Sequence, residues 1–94
     1  MTKSDSGPRR LKKGSVVVSL SGKDKDSLLA VLAVVDTEEG RVLVADGKHR
    51  PVERPKKKNP LHVRDTGQLL AEDTMATNRA IRRALAELYS VELH

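Results

Sequence analysis

Apolar residues form short strand-like runs in the first two thirds of the chain and a helical stripe in the last third. The run at 15–20 is rich in valine, whose branched side chain suits a half-buried pleated surface. The run at 28–35 is almost unbroken and long enough for a buried or strongly bent strand, and its valines favour strand over a short helix. A third strand is predicted at 41–45, after a turn that ends at Gly40.

Two further strands are predicted beyond the third. Asp46-Gly47 is typical of a two-residue hairpin turn, and the strand that returns from it, about 48–53, contains a proline and is therefore expected at a sheet edge. A charged loop at 56–60 then precedes a short fifth strand at 61–63. Five short strands joined by tight turns predict a mainly β fold, a small barrel or a half-open sandwich.

Past Gly67 the apolar spacing becomes that of a helix, predicted over about 75–89 with Asp73 or Thr74 as its N-terminal cap. Its apolar stripe is expected to pack on the sheet; otherwise it would be a protein-binding or dimerisation surface. The stripe consists of Ala80, Ile81, Ala84, Leu85 and Leu88. The opposite face carries Arg79, Arg82, Arg83 and Glu87. Its arginines are expected to form a solvated face, and a second RNA-binding surface is the alternative.

The length of 94 residues allows one domain at most. We expect a flexible basic tail at 1–11, the β domain at 12–64, and a linker with the C-terminal helix at 65–94. No run approaches the roughly eighteen apolar residues of a membrane span, and the first residues lack the apolar stretch of a secretory signal. Since the chain also has no cysteine, a cytoplasmic location is expected. The sequence leaves the oligomeric state open, and a monomer is expected.

Positive charge is concentrated in two separate blocks, although the net charge of the chain is only +5. Residues 9–25 hold six basic residues against one acid, and 48–64 hold seven against one. The last stretch, 65–94, has three arginines against five acids. If the fold brings the two blocks together, they form a face that binds polyanions. The alternative is a solvated surface of mixed charge.

The chain has one tyrosine and no phenylalanine or tryptophan, so it offers few rings on which unpaired bases could stack. Contact with RNA would therefore depend on phosphates, sugars and shape. Catalysis is not expected, because no serine lies in a nucleophile elbow and no phosphate-cradling glycine loop is present. The three histidines lack metal-ligand spacing, so neither a metal nor another cofactor is expected.

Several segments occur in an order that resembles the KOW motif. They are GSVV at 14–17, SGKD at 21–24 and an apolar strand that ends in VVD at 34–36. VADGKHR at 44–50 and RPKKKNPLH at 54–62 follow and strengthen the match. Over about 12–63 the chain is similar to KOW-domain RNA-binding proteins of the ribosomal-protein-like branch. Its trailing helix is similar to the tail of small bacterial members.

This resemblance implies a five-stranded SH3-like barrel that binds structured ribosomal RNA, with the loop around the KOW glycine against the RNA backbone. Asp26 stands where the motif usually has a second glycine, so this end of the loop is expected to be shaped differently. The candidate RNA-binding residues are Lys12, Lys13, Ser21, Gly22, Lys23, Lys25, Lys48, Arg50, Lys56, Lys57, Lys58, Asn59 and His62.

Structural interpretations of the same residues stay open. The lysines at 56–58 could form a solubilising loop that protects a sheet edge, Gly22 could serve turn geometry alone, and Lys12 and Lys13 could belong to the tail. We expect an RNA-binding protein that acts in ribosome association, assembly or translation. The rival is an SH3-like protein-interaction module that docks on an acidic surface of the translation or transcription machinery, and DNA binding is a weaker third option.

Overall fold

A computed structural model describes residues 11–35 and 38–92, with side chains as far as residue 89. Of the predicted tail at 1–11, residues 1–10 lie outside the described residues, whereas Leu11 is partly buried and packs against the core. The described chain is mainly β, with one five-stranded antiparallel sheet of order β4-β3-β2-β1-β5 followed by a helix. The strands are β1 Ser15–Ser19, β2 Leu28–Val34, β3 Val42–Ala45, β4 Lys56–Lys58 and β5 Val63–Leu69. Two short 3₁₀ turns, Pro60–His62 and Asp73–Ala76, precede and follow β5, and α1 spans Asn78–Glu92.

Both faces of the central strands are buried, which explains why β2 is apolar throughout and β1 is apolar between its two terminal serines. On one face, Val16 and Ala30 are paired neighbours in a cluster that includes Ile81 and Leu85 of α1. The helical stripe therefore packs on the sheet, as predicted. Ile81 is fully buried, and a side chain of this size contributes about 1.5–3 kcal/mol through burial.

The other face of the sheet forms a second core. Its buried members come from four strands: Val17, Leu29, Val31, Val42, Val44 and Val63. Register shifts between Ser15 and Val17 in β1 and between Val31 and Ala33 in β2 bend the strands, as bulges do. Lys58 on edge strand β4 reaches across to Ser19 on β1, with its Nζ 2.8 Å from Ser19 Oγ. The sheet is thus curved, but its ladders leave β4 and β5 as unjoined edges.

The predicted Asp-Gly hairpin is wrong, because β3 and β4 are joined by the long loop 46–55. Asp46 Oδ1 accepts hydrogen bonds from the backbone N–H groups of Lys48 and Arg50, each at 2.8 Å, and so folds the start of this loop on itself. No strand forms at 48–53, where Val52 N instead donates to Asn78 Oδ1 of α1 at 2.7 Å. Contact with the helix replaces the expected strand pairing.

The lysine triplet is not a loop but edge strand β4, paired with β3 through Val42 and Lys58. The predicted fifth strand begins later, because Asn59 Oδ1 accepts from Leu61 N at 2.8 Å and caps a 3₁₀ turn over Pro60–His62. The strand then runs from Val63 to Leu69. Its mostly polar sequence was hard to identify as a strand, because an edge strand exposes most of its side chains.

The helix begins three residues later than predicted, at Asn78. The cap is Thr77, whose Oγ1 accepts from Ala80 N at 3.1 Å, and not Asp73 or Thr74. Those two residues belong to the separate 3₁₀ turn, which buries Met75 in the core between the sheet and α1. Among the described residues, no helix has the length and apolarity needed to cross a membrane.

Candidate nucleic-acid interface

The two positive blocks of the sequence meet in the fold. Loop 20–27, between β1 and β2, lies against loop 46–55 and β4. The contact centres on Asp24, whose Oδ2 is 3.6 Å from both Arg50 Nε and Lys56 Nζ. We call the surface around this contact the basic face. It consists of Lys23, Lys25, Lys48, His49, Arg50 and Lys56.

Backbone hydrogen bonds hold loop 20–27 in shape. Asp26 N donates to Ser19 O and Ser27 N donates to Asp24 O, each at 2.8 Å. Gly22 has φ +80°, and Asp26 also lies in the left-handed region, with φ 72°. Asp26 therefore adopts the kind of backbone conformation that glycine favours, at some cost in strain because it carries a Cβ. The loop leaves the Lys23 and Lys25 side chains exposed.

Lys58 is a structural residue of this loop. Its side chain is buried, and its Nζ donates to Ser19 Oγ at 2.8 Å and to the Ser21 carbonyl at 3.2 Å. Burial lowers the pKa of the Lys58 ammonium, and the neighbouring Lys56 charge lowers it further. Of the predicted RNA-contact residues, Lys58 thus has its charge directed inward, and Ser21 contributes its carbonyl to the same network.

Three further candidate RNA-binding residues, Lys57, Asn59 and His62, lie outside the basic face. Lys57 is exposed and, because side chains alternate along a strand, lies on the opposite face of β4 from Lys56 and Lys58. The Asn59 side chain is occupied in the cap of the 3₁₀ turn. His62 is exposed beside loop 20–27, and its carbonyl accepts from Leu20 N at 2.8 Å.

Lys12 and Lys13 lie at the other end of β1 from loop 20–27. A strand of five residues spans roughly 17 Å, so the fold does not join these lysines to the basic face. Lys13 Nζ is 2.8 Å from Glu72 Oε2, and this hydrogen bond and charge lower the pKa of the Glu72 carboxyl. Both side chains are largely exposed, so the pair contributes little to stability.

Two adjoining cavities open at the basic face. The first, of about 400 Å³, is lined by Lys23, Asp24, Ser27, Asp46, His49 and Arg50. The second, of about 380 Å³, is lined by Ser27, Leu28, Asp46, Lys48, Arg82, Leu85, Ala86 and Tyr89. Sequence reasoning missed His49 and the helix residues Arg82 and Tyr89. The spacing of 82, 86 and 89 along one helix face was the available signal, but nothing local indicated that loop 46–55 would lie beside it.

Residues 11–35 and 38–92 contain no group of three or more histidine, aspartate or glutamate side chains that could hold a metal ion. Comparison with protein-family models found no match to this chain, and comparison with curated protein sequences found none either.

Proposed function

We propose that the protein binds structured RNA through the basic face, and that the curved sheet is an SH3-like barrel of the KOW type. The observation that carries the proposal is the convergence of two basic segments, distant in sequence, around the carboxylate of Asp24, a residue whose side chain is 11% exposed. Arg50 and Lys56 are positioned by Asp24, and Lys23, Lys25 and Lys48 extend around them into solvent. Such a face suits a polyanion whose charge is spread along a backbone.

The chemistry of the face favours recognition of RNA by its shape and phosphates over recognition of a single strand through its unpaired bases. The five lysine and arginine residues of the basic face correspond to at most about five phosphate contacts, enough to make affinity fall as salt rises. None of the residues of the face is phenylalanine, tyrosine or tryptophan, and His49 is the one ring among them, so a series of unpaired bases has no stacking platform there. By resemblance to KOW-domain proteins, we propose folded ribosomal RNA as the class of target, with a role in ribosome association, assembly or translation.

Sedimentation of the tagged protein in a ribosome gradient tests this proposal. Co-migration with a ribosomal subunit at low salt, lost at high salt and after nuclease treatment, is the expected result, because RNA phosphates would hold the protein. Co-migration that survives nuclease would favour the rival, an interaction module bound to an acidic protein surface. Migration at the top of the gradient under both salt conditions would contradict ribosome association.

A further inference from the structure

The second cavity differs in chemistry from the rest of the basic face. Its floor is apolar, since Leu28 and Leu85 are 5% and 6% exposed and belong to the core. Its rim is charged, with Lys48 on the loop and Arg82 on α1, both exposed. The carboxylate of Asp46 also lines it, with Oδ1 accepting from the backbone N–H groups of Lys48 and Arg50. Tyr89, the only aromatic residue of the chain, is 51% exposed and lines this cavity.

The cavity is a shallow, open depression with the volume of a small-ligand site. Its volume of about 380 Å³ lies in the range of about 300–1,000 Å³ typical of ligand pockets. Arg82, Ala86 and Tyr89 follow one another along one face of α1, so that the ring stands in line with a cation, with a small side chain between them. Tyr89 therefore offers a half-exposed ring on which a base can stack, and Arg82 offers a cation two helical turns away.

The second cavity is continuous with the basic face. Ser27 and Asp46 line both cavities, so an RNA backbone held along Lys23 and Arg50 passes directly beside the opening. Lys48 belongs to the basic face and also to the rim of this cavity. A nucleotide that leaves the stack at this point would keep its phosphate near Lys48 and Arg82 while its base covers the apolar floor.

We propose that this cavity receives one unpaired nucleotide of the bound RNA, with its base stacked on Tyr89 and its phosphate held by Lys48 and Arg82. This inference rests on the proposed RNA binding and deepens it: the preferred ligand is a folded RNA with a bulged or looped-out base, not a continuous duplex. Extruding a base that is already unpaired requires little energy, which favours such a target over a perfect duplex.

The test uses two RNA hairpins, one fully paired and one that differs only by a single bulged adenosine. Because Tyr89 is the only tyrosine and tryptophan is absent, intrinsic fluorescence of the protein reports on this site alone. We expect the bulged hairpin to quench the Tyr89 emission on binding and the paired hairpin to leave it nearly unchanged. Tyr89→Ala should weaken binding of the bulged hairpin by about 5- to 150-fold and remove the preference for it.

Two controls separate stacking from folding. Tyr89→Phe keeps the ring and should retain the preference for the bulged hairpin. Leu69→Ala truncates a similarly exposed apolar side chain on β5, outside the cavity, and should leave the affinity for both hairpins unchanged. Equal binding of both hairpins without a change in Tyr89 emission would overturn the nucleotide site, leave RNA binding by the basic face intact, and point to a partner protein's side chain as occupant. Failure of both hairpins to bind would overturn the proposed function as well.

Discussion

Gly47 lies where loop 46–55 closely approaches the start of α1, and its replacement by alanine should strongly destabilise the fold. The residue is buried with φ +80°, in the left-handed region that L side chains rarely adopt. An added Cβ would overlap the Asn78 carbonyl oxygen and lie 3.1 Å from Arg82 N. Both atoms are helix backbone, so the overlap can be relieved only by moving the loop or α1.

The magnitude follows from two separate contributions. Placing alanine in the left-handed region costs about 1–2 kcal/mol, and overpacking against fixed backbone typically costs about 1–3 kcal/mol more. Gly47→Ala should therefore lower the free energy of unfolding by about 2–5 kcal/mol, out of roughly 5–14 kcal/mol for a chain of this length. Gly67 provides the matched control, because it has φ +84° with nothing within 4 Å of an added Cβ. Gly67→Ala should cost only the first contribution, about 1–2 kcal/mol.

Urea denaturation followed by circular dichroism measures both variants. The comparison cancels the effect of alanine on the unfolded chain, which is the same for the two substitutions. We expect Gly47→Ala to be less stable than Gly67→Ala by about 1–3 kcal/mol. If the two variants lose equal stability, the close approach of loop 46–55 to α1 is wrong, and so is the second cavity built on that approach.

Three further substitutions test the network under the basic face, each by urea denaturation. The pKa of Lys58 is lowered in the folded chain, so between that lowered pKa and 10.5 the unfolded chain binds more protons and the native chain gains stability as pH rises. Lys58→Met should lack this gain. A pH-independent difference would contradict this. Asp24→Asn should lower the free energy of unfolding by about 1–2 kcal/mol, because it leaves Arg50 and Lys56, each about one third exposed, without their shared carboxylate. An unchanged free energy of unfolding would refute the pairing. Asp26→Gly should stabilise by up to about 1 kcal/mol by relieving the positive φ, and destabilisation would show that the Asp26 side chain matters.

Sequence periodicity predicted the elements with a dense apolar signal and failed where tertiary contact decides the structure. The runs at 15–20, 28–35 and 41–45 became β1, β2 and β3, and the helical stripe packs on the sheet. The Asp-Gly pair was misinterpreted because Gly47 is required by contact with α1, which a local turn rule does not include. The lysine triplet has no local strand signal, because its strand character comes from pairing with β3 and from the burial of Lys58.

The candidate site was predictable only in outline. Charge distribution indicated that two basic blocks could meet, and in the fold Asp24 lies within 3.6 Å of cations from the second block. The role of Asp24 itself could not be anticipated, since an acid among lysines is usually solvated. The placement of Lys13 beside Glu72, away from loop 20–27, also depends on long-range topology that charge counting does not contain. That these residues contact RNA stays a prediction.

The salt dependence of binding to a fully paired RNA hairpin, measured by fluorescence anisotropy, tests the central claim most directly. The double variant Lys23→Gln/Lys48→Gln removes two charges from the basic face, and Arg79→Gln/Arg83→Gln removes two from exposed helix positions that line neither cavity. We predict that the first variant binds more weakly and that its slope of log Kd against log salt is flatter by roughly one unit per lysine. The arginine variant should keep nearly the native slope. Equal slopes for the two variants, or native binding that does not respond to salt, would contradict RNA binding through this face.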